Sequence, residues 1–433
     1  MAALSLVFPS QPSYDAWSWI IWGREITHLD LVTTHGPSWK PFPVAFTTLY
    51  GLWPAIAPTL WMLTARTGAL LGLVSAFRLA RGMAGTAAGV VAAVALAAAP
   101  WYERSFLLGT SEGFQVAFAL AAIDAARQAR HRRAFCLGVG LALLRPESWP
   151  FLAVYGAWLF WRQHSERAWV AAGFALLPLA WLVPERIGSG DWLRAAHRAE
   201  NPVHGTAADA ADPVRAVVHQ SWDMLSGPLH WLLLASIVIL LVRRDRARLA
   251  LVLLAAGWIL LVAVMSSSGF SGSPRYLIVP AAVLTVVVAA TAVEAVAALS
   301  RRHVVAGLAA AGVAAAVAIP YLSDSRRVID AADWQARMTA ELPGVIARAG
   351  GRTVIGSCGT TSTHADFVPV VAWYLHAHIR DIGVLPAQQG VTLRVHIRPH
   401  SAAYPTLLPL TGVPTHTLGR SANWRVVTTC VAR

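Results

Sequence analysis

Long apolar runs recur through the first 321 residues, and short arginine clusters stand between them. About 20 apolar residues in a helix cross a bilayer core. In lipid the backbone must satisfy its own hydrogen bonds, which leaves helices or closed barrels as spanning structures. The runs are too long and continuous for alternating barrel strands, so the pattern specifies an all-α polytopic membrane protein. The expected spans are 59–80, 84–100, 113–129, 134–149, 150–161, 168–184, 229–242, 249–265, 276–299 and 304–321. They make about ten transmembrane helices. The opening "MAALSLVF" is too short to span and resembles the tail of a truncated first one. A net charge of +13 invites a nucleic-acid reading, but the arginines lie between apolar runs and not along one soluble face, so no nucleic-acid partner is expected.

The arginines also set the orientation. "RLARG" (78–82), "RQARHRR" (127–133), "RQHSER" (162–167), "RRDRAR" (243–248) and "RRH" (301–303) belong on the cytoplasmic side of a plasma membrane. The opposite side then receives "WYERSFLLGTSE" (101–112), an outer loop over 185–228, "SSSGFSGSPRY" (266–276) and residues 322–433. It also receives juxtamembrane helices over about 9–57. Parity keeps "PVAFTTLYGLWPAIAP" (43–58) from crossing, so it reads as an interfacial or re-entrant helix. "YDAWSWIIWGREI" (14–26) reads as an amphipathic helix on the outer surface. Beyond 322 the apolar runs shorten. "GRTVIGSCG" (351–359), "GVTLRVHIRP" (390–399) and "NWRVVTTCVAR" (423–433) read as strands, and "DWQARMTAELPGVIARAG" (333–350) and "FVPVVAWYLHAHI" (367–379) as helices. The chain thus divides into a transmembrane domain, 1–321, and a small extracytoplasmic α/β domain, 322–433. Outside the cytosol Cys358 and Cys430 are disulfide candidates, whereas Cys136 reads as inert packing.

Chemistry needs charge, and in this chain charge is sparse. Asp15 precedes a tryptophan-rich helix and reads equally as a base for an acceptor hydroxyl or as a helix cap. Glu112 in "GTSEG" is a second acid or a capping acid. Arg275 in "SGSPRY" suits a phosphate oxygen pair or an interfacial anchor beside Tyr276. Arg145 and Glu147 flank Pro146 near a helix end, as a functional pair or one that neutralises itself. Lys40, in "THGPSWKPFP", is the only lysine in the chain. It is a compact point charge suited to phosphate, stiffened by Pro37, Pro41 and Pro43, or else an ordinary surface lysine. His376 and His378 would point apart on a helix and make a poor metal pair.

In that order these motifs resemble the GT-C superfamily of membrane glycosyltransferases, which use polyprenyl-phosphate-linked sugars. The early Asp of "YDAWSW", the "GPSWKP" turn, the span "LTARTGALLG" with Arg66, the G-x-S-E loop and "SGSPRY" carry the resemblance. It extends over about residues 1–320, and protein O-mannosyltransferases and lipid A aminoarabinose transferases share the early Asp and Lys-Pro. The chain departs from the pattern at Phe42, where a second proline is often found. The resemblance implies an inverting enzyme that moves a sugar from a polyprenyl-phosphate donor to a cell-wall glycan, glycolipid or protein. Asp15 would be the base, Glu112 a second acid, and Lys40 and Arg275 the donor-phosphate cations. Arg24, His35, Arg66, Arg145, Glu147 and Tyr276 would support them. No cofactor or metal is required; membrane lipids are the other expected partners. The loop 186–227, with "DPVRAVVHQSWDML" (212–225), would form a lid. A lipid-linked-sugar flippase and a non-catalytic glycan-binding scaffold are the competing readings.

Overall fold

The computed structural model describes residues 1–8, 11–201, 205–225, 227–299, 311–316, 318–399, 401–407 and 410–430. The "RRH" cluster, residues 304–310 of the last expected span, parts of the lid loop and residues 431–433 lie outside them.

Two short helices open the chain. α1 (Tyr14–Thr27) is capped by Ser13, whose hydroxyl accepts from Ala16 N at 3.4 Å. α2 (Pro41–Tyr50) starts on a proline, which suits the first helical position. Gly23 permits their crossing, because a Cβ there would collide with the Thr47 backbone. The expectation of an amphipathic surface helix at 14–26 is corrected: Ala16 through Trp22 are all buried. α2 covers one side of α1 and the C-terminal unit covers another. Tryptophan and isoleucine surround the helix too completely to leave a polar face. The interfacial stretch at 43–58 is likewise not one helix, since α2 ends at Gly51 and a 3₁₀ turn leads on.

The apolar helices follow. α3 (Ala57–Ala97) is broken at Ala84 and Gly85, which separates the two expected spans. α4 (Pro100–Leu107) meets α5 (Glu112–Arg127) at a bend of 119°. Then come α6 (His131–Ala142), α7 (Trp149–Arg162), α8 (Arg167–Ser189), α9 (Arg194–Ala199), α10 (Pro213–Asp223), α11 (Gly227–Arg243), α12 (Arg246–Ser267) and α13 (Ile278–Leu299). Among the described residues four helices are long and apolar enough to cross a membrane, or up to six if each bent pair is one span. Several of the shorter expected spans, such as α6, are therefore helices of less than bilayer length. Cys136 is exposed on α6 and not packed inside.

The C-terminal unit holds α14 (Leu322–Arg348), α15 (Gly351–Gly356), α16 (Val368–Leu375) and a six-stranded sheet. Its path is β2 (Ile382–Gly383), β1 (Thr360–Thr363), β3 (Gly390–His396), β6 (Trp424–Thr428) and β5 (His416–Arg420), with β4 (Ala403–Tyr404) on β3. β1 runs parallel to β2 and β3; the other pairs are antiparallel. The strand expected over 351–359 is corrected to α15. Two positive-φ glycines, Gly350 and Gly351, restart a helical turn there, and the strand begins only at Thr360. Cys358 and Cys430 are bonded to each other. The sheet, α14, α16 and α1 share one apolar core. Arg24 Nη2 donates to Ala377 O at 2.8 Å and its guanidinium lies over Trp373.

The close crossing of α3 and α5 sets where Glu112 sits. A Cβ on Gly113 would lie 2.6 Å from Ala69 N. We expect Gly113→Val to cost about 1–3 kcal/mol through overpacking, seen as a lower melting temperature in detergent. Gly82→Ala, whose Cβ meets nothing within 4 Å, should leave melting unchanged.

Candidate functional site

Five separated segments deliver charge to one place. Asp15 lies in the first turn of α1 and Lys40 just before α2. Glu112 opens α5, Arg145 and Glu147 occupy the α6–α7 turn, and Arg275 stands in the turn ahead of α13. In α5 and α6 these ends lie opposite the arginine cluster at 127–133.

The contacts form a chain. Arg275 Nη1 donates to Asp15 Oδ2 at 2.9 Å, and Lys40 Nζ stands 3.8 Å from the same oxygen. Arg145 Nη2 donates to Glu112 Oε1 at 3.0 Å, and its Nη1 is 3.8 Å from Glu147 Oε1. Arg275 Nε lies 4.0 Å from Glu112 Oε1, which joins the two groups. The Arg145 guanidinium sits over the Tyr276 ring, and Lys40 Nζ over Trp19 at 5.0 Å. Lys40 is only 5% exposed, so it is not a surface lysine. Ser13, not Asp15, is the cap of α1.

Burial pushes the Asp15 carboxyl up, but Arg275 and then Lys40 outweigh it and hold it below the usual carboxylate range. Burial and then Arg145 push Lys40 down to about 8, against Glu112 and Asp15. Asp15 holds Arg275 protonated beyond its ordinary value, against burial. Lys40 Nζ, Glu112 Oε2, Arg145 Nε and Glu147 Oε2 are enclosed without a hydrogen-bond partner among the described residues. An array of buried charge with spare donors is unusual in a purely structural cluster.

Two cavities adjoin it. One of about 590 Å³ is lined by Asp15, Glu112 and Arg275 together with Trp17, Trp101 and Phe367. The other, of about 400 Å³ and almost wholly apolar, lies among α5, α6, α7, α12 and α13. It includes Ser148 of the Arg145 turn and Trp258, whose Nε1 donates to Tyr276 O at 2.9 Å.

The remaining expected residues lie apart. Arg66 is fully buried and donates to Phe106 O and Ser5 O. Arg24 ties α1 to the C-terminal unit, and exposed His35 meets its neighbour Thr34 at 3.2 Å. Sequence reasoning missed a clamp beneath the Lys40 loop. Arg194 donates to Pro37 O at 2.6 Å and Gly36 O at 3.1 Å and pairs with buried Glu185 at 3.5 Å. His378, expected on a helix beside His376, lies beyond the end of α16 at Leu375, and its ring nitrogens reach Glu25 at 2.8 Å and Asp30 at 3.2 Å. Among the described residues no group of three or more His, Cys, Asp or Glu side chains is arranged to hold a metal ion.

No protein-family model matches the chain, and no curated protein matches it. Solved structures do. ArnT from Cupriavidus metallidurans bound to undecaprenyl phosphate superposes with a TM-score of 0.62 at 13% identity, covering 99% of this chain and 97% of that one. The chain has the GT-C fold. The apo state of the same ArnT gives 0.57 at 14% identity, over the same shares. Within this GT-C fold the charge cluster sits where α1, the Lys40 turn and the turn before α13 meet.

Arg145 is the cation between two buried carboxylates. We expect Arg145→Leu to destabilise the protein by about 3–5 kcal/mol, measured as loss of folded protein in a detergent melt. Arg145→Lys should recover much of that loss, because it keeps a charge between Glu112 and Glu147.

Proposed function

We propose that the protein is an inverting membrane glycosyltransferase that takes a sugar from a polyprenyl-phosphate donor on the extracytoplasmic side. One observation carries the reading: in a GT-C fold, a carboxylate and two cations share one oxygen at the wall of a cavity large enough for a glycosyl unit. The neighbour with the higher overlap was crystallised with undecaprenyl phosphate, which supports the donor class. The apolar cavity beside Ser148 supports it too, as a seat for the isoprenoid tail.

Asp15 takes the proton of the acceptor hydroxyl. The acceptor oxygen attacks the anomeric carbon from the face opposite the phosphate. The carbon–oxygen bond to phosphate breaks and its electron pair stays on the phosphate oxygen, so the configuration inverts. Arg275 has N–H groups beyond the one used on Asp15 and receives the phosphate first. Lys40 lies one layer deeper, beneath Asp15. It reaches the phosphate as the Asp15–Arg275 pair opens, and it then stabilises the charge that develops on leaving. Glu112 keeps Arg145 and Arg275 aligned. The Arg194–Glu185 clamp fixes the loop that carries Lys40.

Asp15→Asn keeps the shape and removes the base. Transfer from a radiolabelled lipid donor should fall by at least about 100-fold in protein that still expresses and folds, with a lower melting temperature because Lys40 and Arg275 lose their shared carboxylate; transfer at the wild-type rate would remove Asp15 from the mechanism. Lys40 gives a pH signature. Its pKa near 8 lies below the free lysine value, so the charge is present below about pH 8 and lost above it. Affinity for the lipid phosphate should therefore decline between pH 7 and 9. Lys40→Arg should flatten that profile, and Lys40→Ala should weaken donor use more than acceptor use.

A further inference from the structure

A further cavity lies away from the charge cluster. It is a groove of about 240 Å³ between α3 and α5, with the start of α6 at one end. Leu71, Val74 and Arg78 line it from α3, and Phe114, Phe118 and Ala121 from α5. Both sets repeat at three and four residues, so each helix turns one continuous face to the groove. The groove follows α5 from Phe114 to Gln128, about 20 Å at about 1.5 Å of rise per residue. Leu71 and Val74 are half-exposed, so it opens on the flank of the helices.

The two ends differ in chemistry. At one end the Phe42, Phe114 and Phe118 rings pack together with centroids between 5.0 and 5.9 Å apart. At the other, Arg78, Arg130 and Arg133 surround the mouth. Arg78 lies 3.7 Å from Asp124. Arg130 and Arg133 are exposed, and their side chains have no ion pair or hydrogen bond among the described residues. Three guanidiniums against one carboxylate leave the mouth positive. Guanidinium suits a pair of phosphate oxygens. A free phosphate would use the arginines and leave the channel empty; a neutral lipid would fill the channel and leave the arginines unpaired. An anionic lipid uses both. The linear chain of a fatty acid suits this narrow channel better than a methyl-branched isoprenoid, for which the larger cavity beside Ser148 is at hand. On the orientation read from the arginine clusters, the mouth meets the cytoplasmic leaflet, whose surface is anionic.

We infer that this groove binds one anionic glycerophospholipid, with its phosphate among Arg78, Arg130 and Arg133 and one acyl chain laid along α5. The inference stands apart from the transferase reading and needs only that α3 and α5 lie in the membrane.

The test uses the full-length protein in mixed micelles with equal amounts of phosphatidylglycerol and phosphatidylcholine of the same acyl chains, read by native mass spectrometry. The wild-type protein should retain one phosphatidylglycerol with a preference of at least about tenfold. Arg130→Gln and Arg133→Gln should each lower that preference about 3–10-fold, and both should fold, because neither side chain leaves a partner behind. Arg162→Gln, at the end of α7 and outside the groove, should keep the preference within about twofold. Val74→Trp, which fills the groove from a half-exposed position, should lower retention of phosphatidylglycerol about 3–10-fold. Equal retention of the two lipids by the wild-type protein, or an unchanged preference in Arg130→Gln and Arg133→Gln, would overturn the site. Release of the lipid by inorganic phosphate, or its replacement by an equal amount of undecaprenyl phosphate, would also overturn the phospholipid assignment, in favour of a free anion or of the isoprenoid carrier.

Discussion

Five charged side chains are held largely out of water beside a sixth, the half-exposed Arg275, and the fold is arranged around that cost. Asp15, Glu112 and Glu147 face Lys40, Arg145 and Arg275, three charges of each sign. Removing an ion from water is repaid only when a counter-ion is in good geometry. Apart from Arg145 and Glu147, which share the α6–α7 turn, each ion comes from a different helix end or turn, so the cluster is completed only when α1, α2, α5, α6, α7 and α13 meet. The neutral sum lets the cluster stay buried without a ligand. The unused donors on Lys40 and Arg275 let it accept an anion without being dismantled.

The same constraint explains why α1 is buried on all sides. A helix that carries Asp15 to this depth must be fixed from several directions. α2 packs across Gly23, Trp19 meets Trp61 at 5.3 Å, and the C-terminal unit closes over Trp17. Glu25, His378 and Asp30 pin the far end of that contact. The α/β unit is thus joined to the helix that bears the candidate base, and one apolar core runs through both. Motion of that unit would be felt at Asp15.

Much of this was legible in the amino-acid order because charge is expensive in an apolar chain. Asp15, Lys40, Glu112, Arg145, Glu147 and Arg275 stood out for that reason, and they meet in space, with Tyr276 against Arg145. The same cue overreached at Arg66 and Arg24, whose charge satisfies backbone carbonyls. It passed over Arg194, which looks like one more loop arginine until its bonds to Pro37 and Gly36 are seen. The strand expected at 351–359 failed because alternating apolar residues do not reveal that Gly350 and Gly351 restart a turn. The burial of α1 depends on residues more than 340 positions away, which local periodicity cannot register.

A structure of the protein with undecaprenyl phosphate bound tests the account most directly, through the distances from the phosphate oxygens to Lys40 Nζ and to the Arg275 guanidinium. The account predicts that both fall within hydrogen-bond range, that Arg275 has left Asp15, and that the isoprenoid tail runs into the apolar cavity beside Ser148. A phosphate bound elsewhere, with the Asp15–Arg275 pair intact, would contradict it.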